Sequence, residues 1–215
     1  MNKLFAAASV VIVAIAVGGF VAYDRYQDAQ FRQLVLPIVK GATVRVTDAL
    51  LLGWKEKITF EEGFARLESH LKDLDAAMLK LKELSPKGQN QTSIASTADV
   101  YLQQSQQIVR AMRERMKKAY GFTVQAEIRA DWARELVTSS GLARWNERME
   151  STKVSYNEAA GAVKENREGV IALLDAAIAA HPKFAAEFTQ AEVVGIAELQ
   201  ALLNGLKKET GPQLK

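Results

Sequence analysis

Residues 59–84, TFEEGFARLESHLKDLDAAMLKLKEL, decide the fold of this chain. Thr59 followed three residues later by Glu62 is a capping box: the hydroxyl accepts from the Glu62 amide and the carboxylate accepts from the Thr59 amide. Apolar residues then alternate at spacings of four and three, which predicts a helix with one long apolar seam. The seam consists of Phe60, Phe64, Leu67, Leu71, Leu74, Met78 and Leu81. Pro86 predicts the end of this helix.

The same spacing recurs along the following part of the chain. A second seam predicts another helix and consists of Ile94, Ala98, Tyr101, Ser105, Ile108 and Met112. Met116 and Ala119 follow one residue out of phase, which predicts a local change in the supercoil. A third seam runs from Leu142 to Ala177, and it includes the polar residues Thr152 and Asn166.

Proline and glycine predict where these helices end or bend. His181-Pro182 predicts the end of the third-seam helix, and a last helix is expected over 183–209. Pro37 and Gly41 predict a kink or an interruption in the helical segment that precedes the capping box.

Together these patterns predict an all-α protein. The expected architecture is an N-terminal transmembrane helix followed by an elongated antiparallel bundle of four to five long helices. At 1.5 Å per residue, a helix over 142–180 would be ~60 Å long, so the body is expected to be a rod.

The transmembrane helix is predicted from the apolar run at 4–22, LFAAASVVIVAIAVGGFVA, which carries no charged residue. Its length matches the ~20 residues that a helix needs to cross a bilayer. A signal peptide has a shorter apolar core of ~7–15 residues, so an uncleaved anchor is favoured and cleavage after Gly19 is the alternative. The short tail with Lys3 predicts that the body lies outside the cytoplasm.

The expected organisation is therefore an anchor or signal peptide at 1–22, a helical bundle domain at 23–210 and a polar tail at 211–215. The expected location is the inner membrane, crossed once, with the body in the periplasm. Three small residues recur every four positions within the anchor, a spacing that lets membrane helices pack closely and suggests a homodimer: Ala14, Gly18 and Ala22.

Composition and motifs argue against catalysis and against nucleic-acid binding. The chain has 28 basic and 25 acidic residues, a balance that lacks the strongly basic footprint of a nucleic-acid binder. It has no cysteine, and its two histidines are not in a metal-binding spacing. No nucleophile elbow, phosphate loop or dinucleotide fingerprint occurs. We expect no catalytic, cofactor or metal site.

The candidates for recognition are one tryptophan and a basic cluster. Trp54 lies at an expected helix end, where it could be exposed, whereas Trp132 and Trp145 follow an apolar phase that favours the core. The cluster could bind anionic lipid head groups, nucleic acid or an acidic partner, or it could be a solvated face that pairs with acids on neighbouring helices. Its basic residues are Arg110, Arg113, Arg115, Lys117 and Lys118.

The layout of a short tail, a membrane helix and long antiparallel helices resembles the ligand-binding bundle of bacterial chemoreceptors. The dipeptide Tyr156-Asn157 within a long helix is similar to the LemA family, which is also an anchored helical rod. Neither resemblance assigns site residues to this chain.

Two functions are therefore expected. The first is a non-enzymatic scaffold, assembly factor or accessory subunit of a bacterial cell-envelope complex that contacts other envelope proteins, and an exposed strip of seam residues such as Phe64, Leu71 and Met149 would support it. The alternative is an extracytoplasmic ligand-binding sensor that signals through a partner. A polar-lined cavity near Ser105, Thr152 or Asn166 would favour the sensor.

Overall fold

A computed structural model describes residues 2–52, 58–135, 142–189 and 192–209, without the side chains of 2–22, 135, 142 and 143. Within these ranges all regular structure is α-helical, which confirms the all-α part of the prediction, whereas the N-terminal transmembrane helix stays a prediction. The helices are α1 (Asn2–Leu51), α2 (Phe60–Glu83), α3 (Gln89–Glu135), α4 (Leu142–Phe188) and α5 (Ile196–Lys208).

The predicted capping box starts α2. The Glu62 amide donates to the Thr59 hydroxyl at 3.3 Å, and the Thr59 amide donates to the Glu62 carboxylate at 3.2 Å. The predicted seam faces the core, because Leu67, Leu71 and Leu74 are buried. The helix ends at Glu83, before the proline, as expected.

Contacts between side chains show that consecutive helices run antiparallel. The end of α1 meets the start of α2 where Arg66 donates to Asp48. Arg113, midway along α3, donates to Glu68 in the first half of α2. Lys207, at the end of α5, pairs with Asp175 in α4 at 3.5 Å. These pairs confirm that long helices pack side by side.

We call the part of the molecule with a buried core the bundle. It comprises α1 from Phe31, α2, α3 as far as Met112, α4 from Val170, and α5. The largest fully buried side chains come from all five helices: Val35, Val39, Val46, Leu50, Leu67, Leu74, Leu102, Val109, Val170, Leu174, Phe188 and Leu206.

The remaining halves of α3 and α4 form a second region, which we call the arm. It comprises residues 113–134 of α3 and 144–169 of α4, and every side chain there is half-buried or exposed. The arm begins where the second seam shifts phase between Met112 and Met116. The predicted change of supercoil therefore falls at the point where the fully buried core positions of α3 end.

Two expected helix boundaries were wrong, and the interruption that Pro37 or Gly41 could cause does not occur, whereas a kink there stays a prediction. Pro182 does not end α4, which continues to Phe188, and the last helix is α5 rather than a helix over 183–209. The lost hydrogen bond at proline is offset by burial of Phe184 and Phe188 in the core. Likewise α1 continues through Pro37 to Leu51.

Candidate interaction surfaces and cavities

The basic cluster on α3 is divided between ion pairs and exposed charges. The Arg113 guanidinium donates to Glu68 at 2.6 Å, and its carbon lies 6.0 Å from the centre of the Phe64 ring. The hydrogen bond to Glu68 raises the pKa of Arg113 above its ordinary value. Arg113 therefore holds α3 against α2.

Arg115 is also paired within the molecule. Its Nη2 atom lies 2.7 Å from both carboxylate oxygens of Glu209, just beyond the end of α5. Arg110 and Lys117 are exposed and Lys118 is half-buried. Within the described residues, the cluster is thus in part a set of structural ion pairs, and its outward charge comes from these other three side chains.

Several expected site residues lie outside the described part of the chain. Trp54 belongs to the connection between α1 and α2 that is not described. Ala14, Gly18 and Ala22 lie on the α1 backbone, but their side chains are not described. The homodimer face predicted from them therefore stays a prediction.

A ladder of aromatic and cationic groups holds the arm together. The Phe122 and Tyr156 rings are 5.0 Å apart, and the Arg129 guanidinium lies 5.9 Å from the Tyr156 ring. Nearer the tip, the Arg148 guanidinium lies 4.1 Å from the Trp132 ring, and the Trp145 indole donates to the Trp132 carbonyl at 3.0 Å. Trp132 and Trp145 are half-buried, so the expected full burial is only partly met.

A buried polar cluster ties three elements together inside the bundle. The Tyr101 hydroxyl lies 2.7 Å from the Thr43 hydroxyl and accepts from the Val194 amide at 3.1 Å. The Thr43 hydroxyl is also 2.7 Å from the Glu192 carbonyl. Burial raises the pKa of Tyr101 above its ordinary value. The sequence placed Tyr101 on the α3 seam, but nothing in it showed which partners would meet the hydroxyl.

The space beside this cluster is small. A cavity of about 20 Å³ is lined by Tyr101, Gln104, Ser105, His181 and apolar side chains. Ser105 donates to the Tyr101 carbonyl, and the buried His181 Nε2 atom has no hydrogen-bond partner. A volume of this size admits about one water molecule. It is too small for an organic ligand of the kind that the sensor function would need.

The other two polar seam residues line no such site either. Thr152 donates to the Met149 carbonyl of its own helix at 3.1 Å. The Asn166 Oδ1 atom is buried without a hydrogen-bond partner in the structure. Among the seam residues expected to form an exposed strip, Leu71 is buried, and Phe64 and Met149 are half-buried.

Asp48, Arg66 and His70 form a clamp between α1 and α2. Both Arg66 Nη2 and His70 Nε2 lie 2.5 Å from carboxylate oxygens of Asp48. Burial acts to raise the pKa of Asp48, but the hydrogen bonds from His70 and Arg66 outweigh it and lower the pKa. Arg66 and His70 are four residues apart and so share a helix face, which is the only sequence signal for this clamp.

A larger cavity of about 380 Å³ lies where the bundle meets the arm. Its walls are mostly apolar, and the Arg115–Glu209 ion pair is the polar part of its described lining. The lining consists of Ala49, Leu52, Leu67, Met112, Arg115, Met116, Ala119 and Glu209. Sequence reasoning identified Arg115 as a surface charge and did not find this cavity.

No group of three or more potential metal ligands converges within the described ranges. By length and composition, one helix there could cross a membrane, Arg144–Phe188. Its 18-residue apolar window has a mean hydropathy of 1.3, and 28% of that window is buried within the protein. Comparison of the chain with family models, curated proteins and solved structures found no match.

Proposed function

We propose that this protein is a membrane-anchored, non-enzymatic helical scaffold or accessory subunit of a bacterial cell-envelope complex. The observation that carries the proposal is the continuity of α1 from Asn2 to Leu51. One helix joins the apolar run at 4–22 to the bundle core, which it enters at Phe31. A rigid connection of this kind suits a protein that holds a partner at a fixed height above a membrane.

Two further observations support an anchor at the N terminus. Tyr23 and Tyr26, directly after the apolar run, are 60% and 59% exposed. Tyrosine is enriched at this level of a membrane, where the ring meets the lipid head groups. In α4, by contrast, Val170, Leu174 and Phe188 belong to the bundle core, which accounts for part of its apolar character.

The geometry of α3 then sets the direction of the arm. Asn90, at the start of α3, donates to Asp28 of α1 at 2.9 Å. Asp28 is six residues beyond the apolar run, which corresponds to ~9 Å along a helix. Because α3 has 47 residues, or ~70 Å, the arm projects away from the anchor. We propose the arm as the region that contacts other envelope proteins.

Protease accessibility of a C-terminally tagged full-length chain tests this proposal. We expect cleavage only after the outer membrane is permeabilised, and retention of the uncut chain in membranes washed with carbonate. Release by carbonate would refute the anchor. Protection until the inner membrane is broken would place the body in the cytoplasm and refute the envelope function.

The sensor remains the second candidate because the 380 Å³ cavity falls within the ~300–1,000 Å³ range of ligand sites. A ligand that binds the folded protein raises its melting temperature. A small-molecule thermal-shift screen on the full chain would support a sensor if it found saturable stabilisation. A screen without hits would favour the scaffold.

A further inference from the structure

The cavity between the bundle and the arm has a composition that suits one class of ligand. It is lined by residues at the end of α1, in α2 and α3, and just beyond α5, and its apolar walls include two methionines, Met112 and Met116. Methionine side chains are flexible and polarisable, so they adapt to apolar ligands of irregular shape. An extended hydrocarbon chain is therefore compatible with these walls.

The polar side of the cavity is a carboxylate-binding arginine. Arg115 Nη2 lies 2.7 Å from both Oε1 and Oε2 of Glu209, and the Arg115 side chain is only 19% exposed. Arg167 also donates to the Glu209 carbonyl. Guanidinium–carboxylate hydrogen bonds are strong because both partners are charged. Glu209 thus shows where a carboxylate sits when it meets Arg115.

We propose that this cavity binds a long-chain fatty acid, with the hydrocarbon chain against Met112, Met116 and Ala119. The ligand carboxylate replaces the Glu209 carboxylate on Arg115. Glu209 then acts as an internal competitor that keeps the arginine paired while the site is empty of ligand. Binding would free the end of α5 from α3 and so couple the cavity to the junction between bundle and arm. This site does not depend on the anchor.

Photo-crosslinking tests the proposal on the full chain in phosphatidylcholine vesicles. The probe is a fatty acid with a diazirine near its terminal methyl group, and labelled peptides are located by mass spectrometry. We expect labelling at peptides that contain Met112, Met116 or Ala119. An excess of unlabelled fatty acid should remove the label, whereas its methyl ester, which lacks the charge, should not.

Variants separate the carboxylate contact from general lipid contact. Arg115→Gln should reduce labelling about tenfold, and Arg115→Lys should restore part of it, because the charge remains but the guanidinium is lost. Glu209→Gln should increase labelling because it removes the internal competitor. Arg110→Gln, an exposed charge on the same helix, is the matched control and should change nothing.

Ala119→Phe gives an independent test, because Ala119 lines the cavity and is exposed, so a larger side chain can block the site without disturbing the core. Labelling should be lost while the melting temperature is unchanged. Equal labelling in wild type and Arg115→Gln, or competition by the methyl ester, would overturn the proposal.

Discussion

The bundle and the arm are built from the same two helices but are stabilised differently. In the bundle, α3 packs against α1, α2 and α4, and side chains such as Leu102 and Leu174 are fully buried. At its near end the arm still contacts the rest of the molecule, since Arg113 meets α2 and Arg115 meets Glu209, whereas beyond Tyr120 the described contacts of α3 with another helix are with α4. No described side chain between Met112 and Val170 reaches that burial. Contact between two helices cannot enclose a side chain, because each helix leaves most of its surface to solvent.

The arm compensates with contacts that tolerate water. Its rings pair with arginines, as Arg129 with Tyr156 and Arg148 with Trp132, and such pairs remain favourable at exposed sites by ~0.5–1 kcal/mol. The bundle instead has apolar packing and a satisfied buried hydroxyl at Tyr101. The bundle should therefore determine global stability, and the arm should open more readily.

The sharpest test of this difference is truncation of one apolar residue in each region of α4. Leu174→Ala removes a fully buried side chain and should lower the free energy of unfolding by ~2–5 kcal/mol. Val163→Ala, in the half-buried arm seam, should cost less than ~1.5 kcal/mol. Denaturant titration of both variants measures these changes. Equal losses of unfolding free energy would show that the arm is packed as tightly as the bundle and unfolds together with it.

A smaller effect is expected from removing one tyrosine hydroxyl in each region. Tyr101→Phe leaves the buried Val194 amide without its acceptor, which should cost ~1–3 kcal/mol. The hydroxyl of Tyr156 makes no hydrogen bond to the described residues, so Tyr156→Phe should change stability by less than ~0.5 kcal/mol. Thermal unfolding of the two variants gives the comparison. A neutral Tyr101→Phe would mean that water replaces the hydroxyl.

The acid dependence of stability should also separate the regions. The pKa of Asp48 in the folded protein lies below its ordinary value near 3.8, so the folded state binds fewer protons there than the unfolded chain. Stability from Asp48 is therefore complete above that ordinary value and is lost as the pH falls through the lower, folded-state pKa.

Asp48→Asn should consequently flatten the fall in stability below pH ~4. Asp131→Asn is the matched arm variant, because the Arg134–Asp131 pair is exposed on both sides and such pairs contribute little. Its stability profile should follow that of the wild type. Melting temperatures of both variants, measured at a series of pH values, test this. If Asp48→Asn and Asp131→Asn had the same pH profile, the clamp would contribute no more to stability than an exposed ion pair does.

The sequence predicted what depends on local spacing. The capping box at Thr59 and Glu62 sets the start of α2 by contacts three residues apart, and the seam shift after Met112 marks where the arm begins. Both could be read directly because periodicity and capping involve neighbours along the chain. The helix end predicted at Pro182 was wrong because the local preference of proline to end a helix is overridden by burial of Phe184 and Phe188, which is a tertiary effect.

The candidate sites were harder to predict because they depend on contacts between residues that are far apart in the sequence. Arg115 meets Glu209 across 94 positions, and Thr43 meets Tyr101 across 58. A single sequence gives no signal for which acid an arginine will reach. Pairing of Arg115 with an acid on a neighbouring element was one of the two expected roles, but nothing in the sequence showed that Arg115 would lie in the wall of a cavity.

The smallest predicted effect tests whether the two regions unfold together. Gly41 in the bundle and Gly161 in the arm are both helical, and a Cβ atom added at either would meet nothing within 4 Å. Alanine is favoured over glycine in a helix by ~0.5–1 kcal/mol, so each substitution should stabilise its own region by about that amount.

Gly41→Ala should raise the global midpoint of unfolding. Gly161→Ala should slow amide hydrogen exchange within the arm and leave the global midpoint unchanged if the arm opens first. An equal rise of the midpoint in both variants would mean that the aromatic and cationic ladder couples the arm to the bundle as tightly as buried packing does.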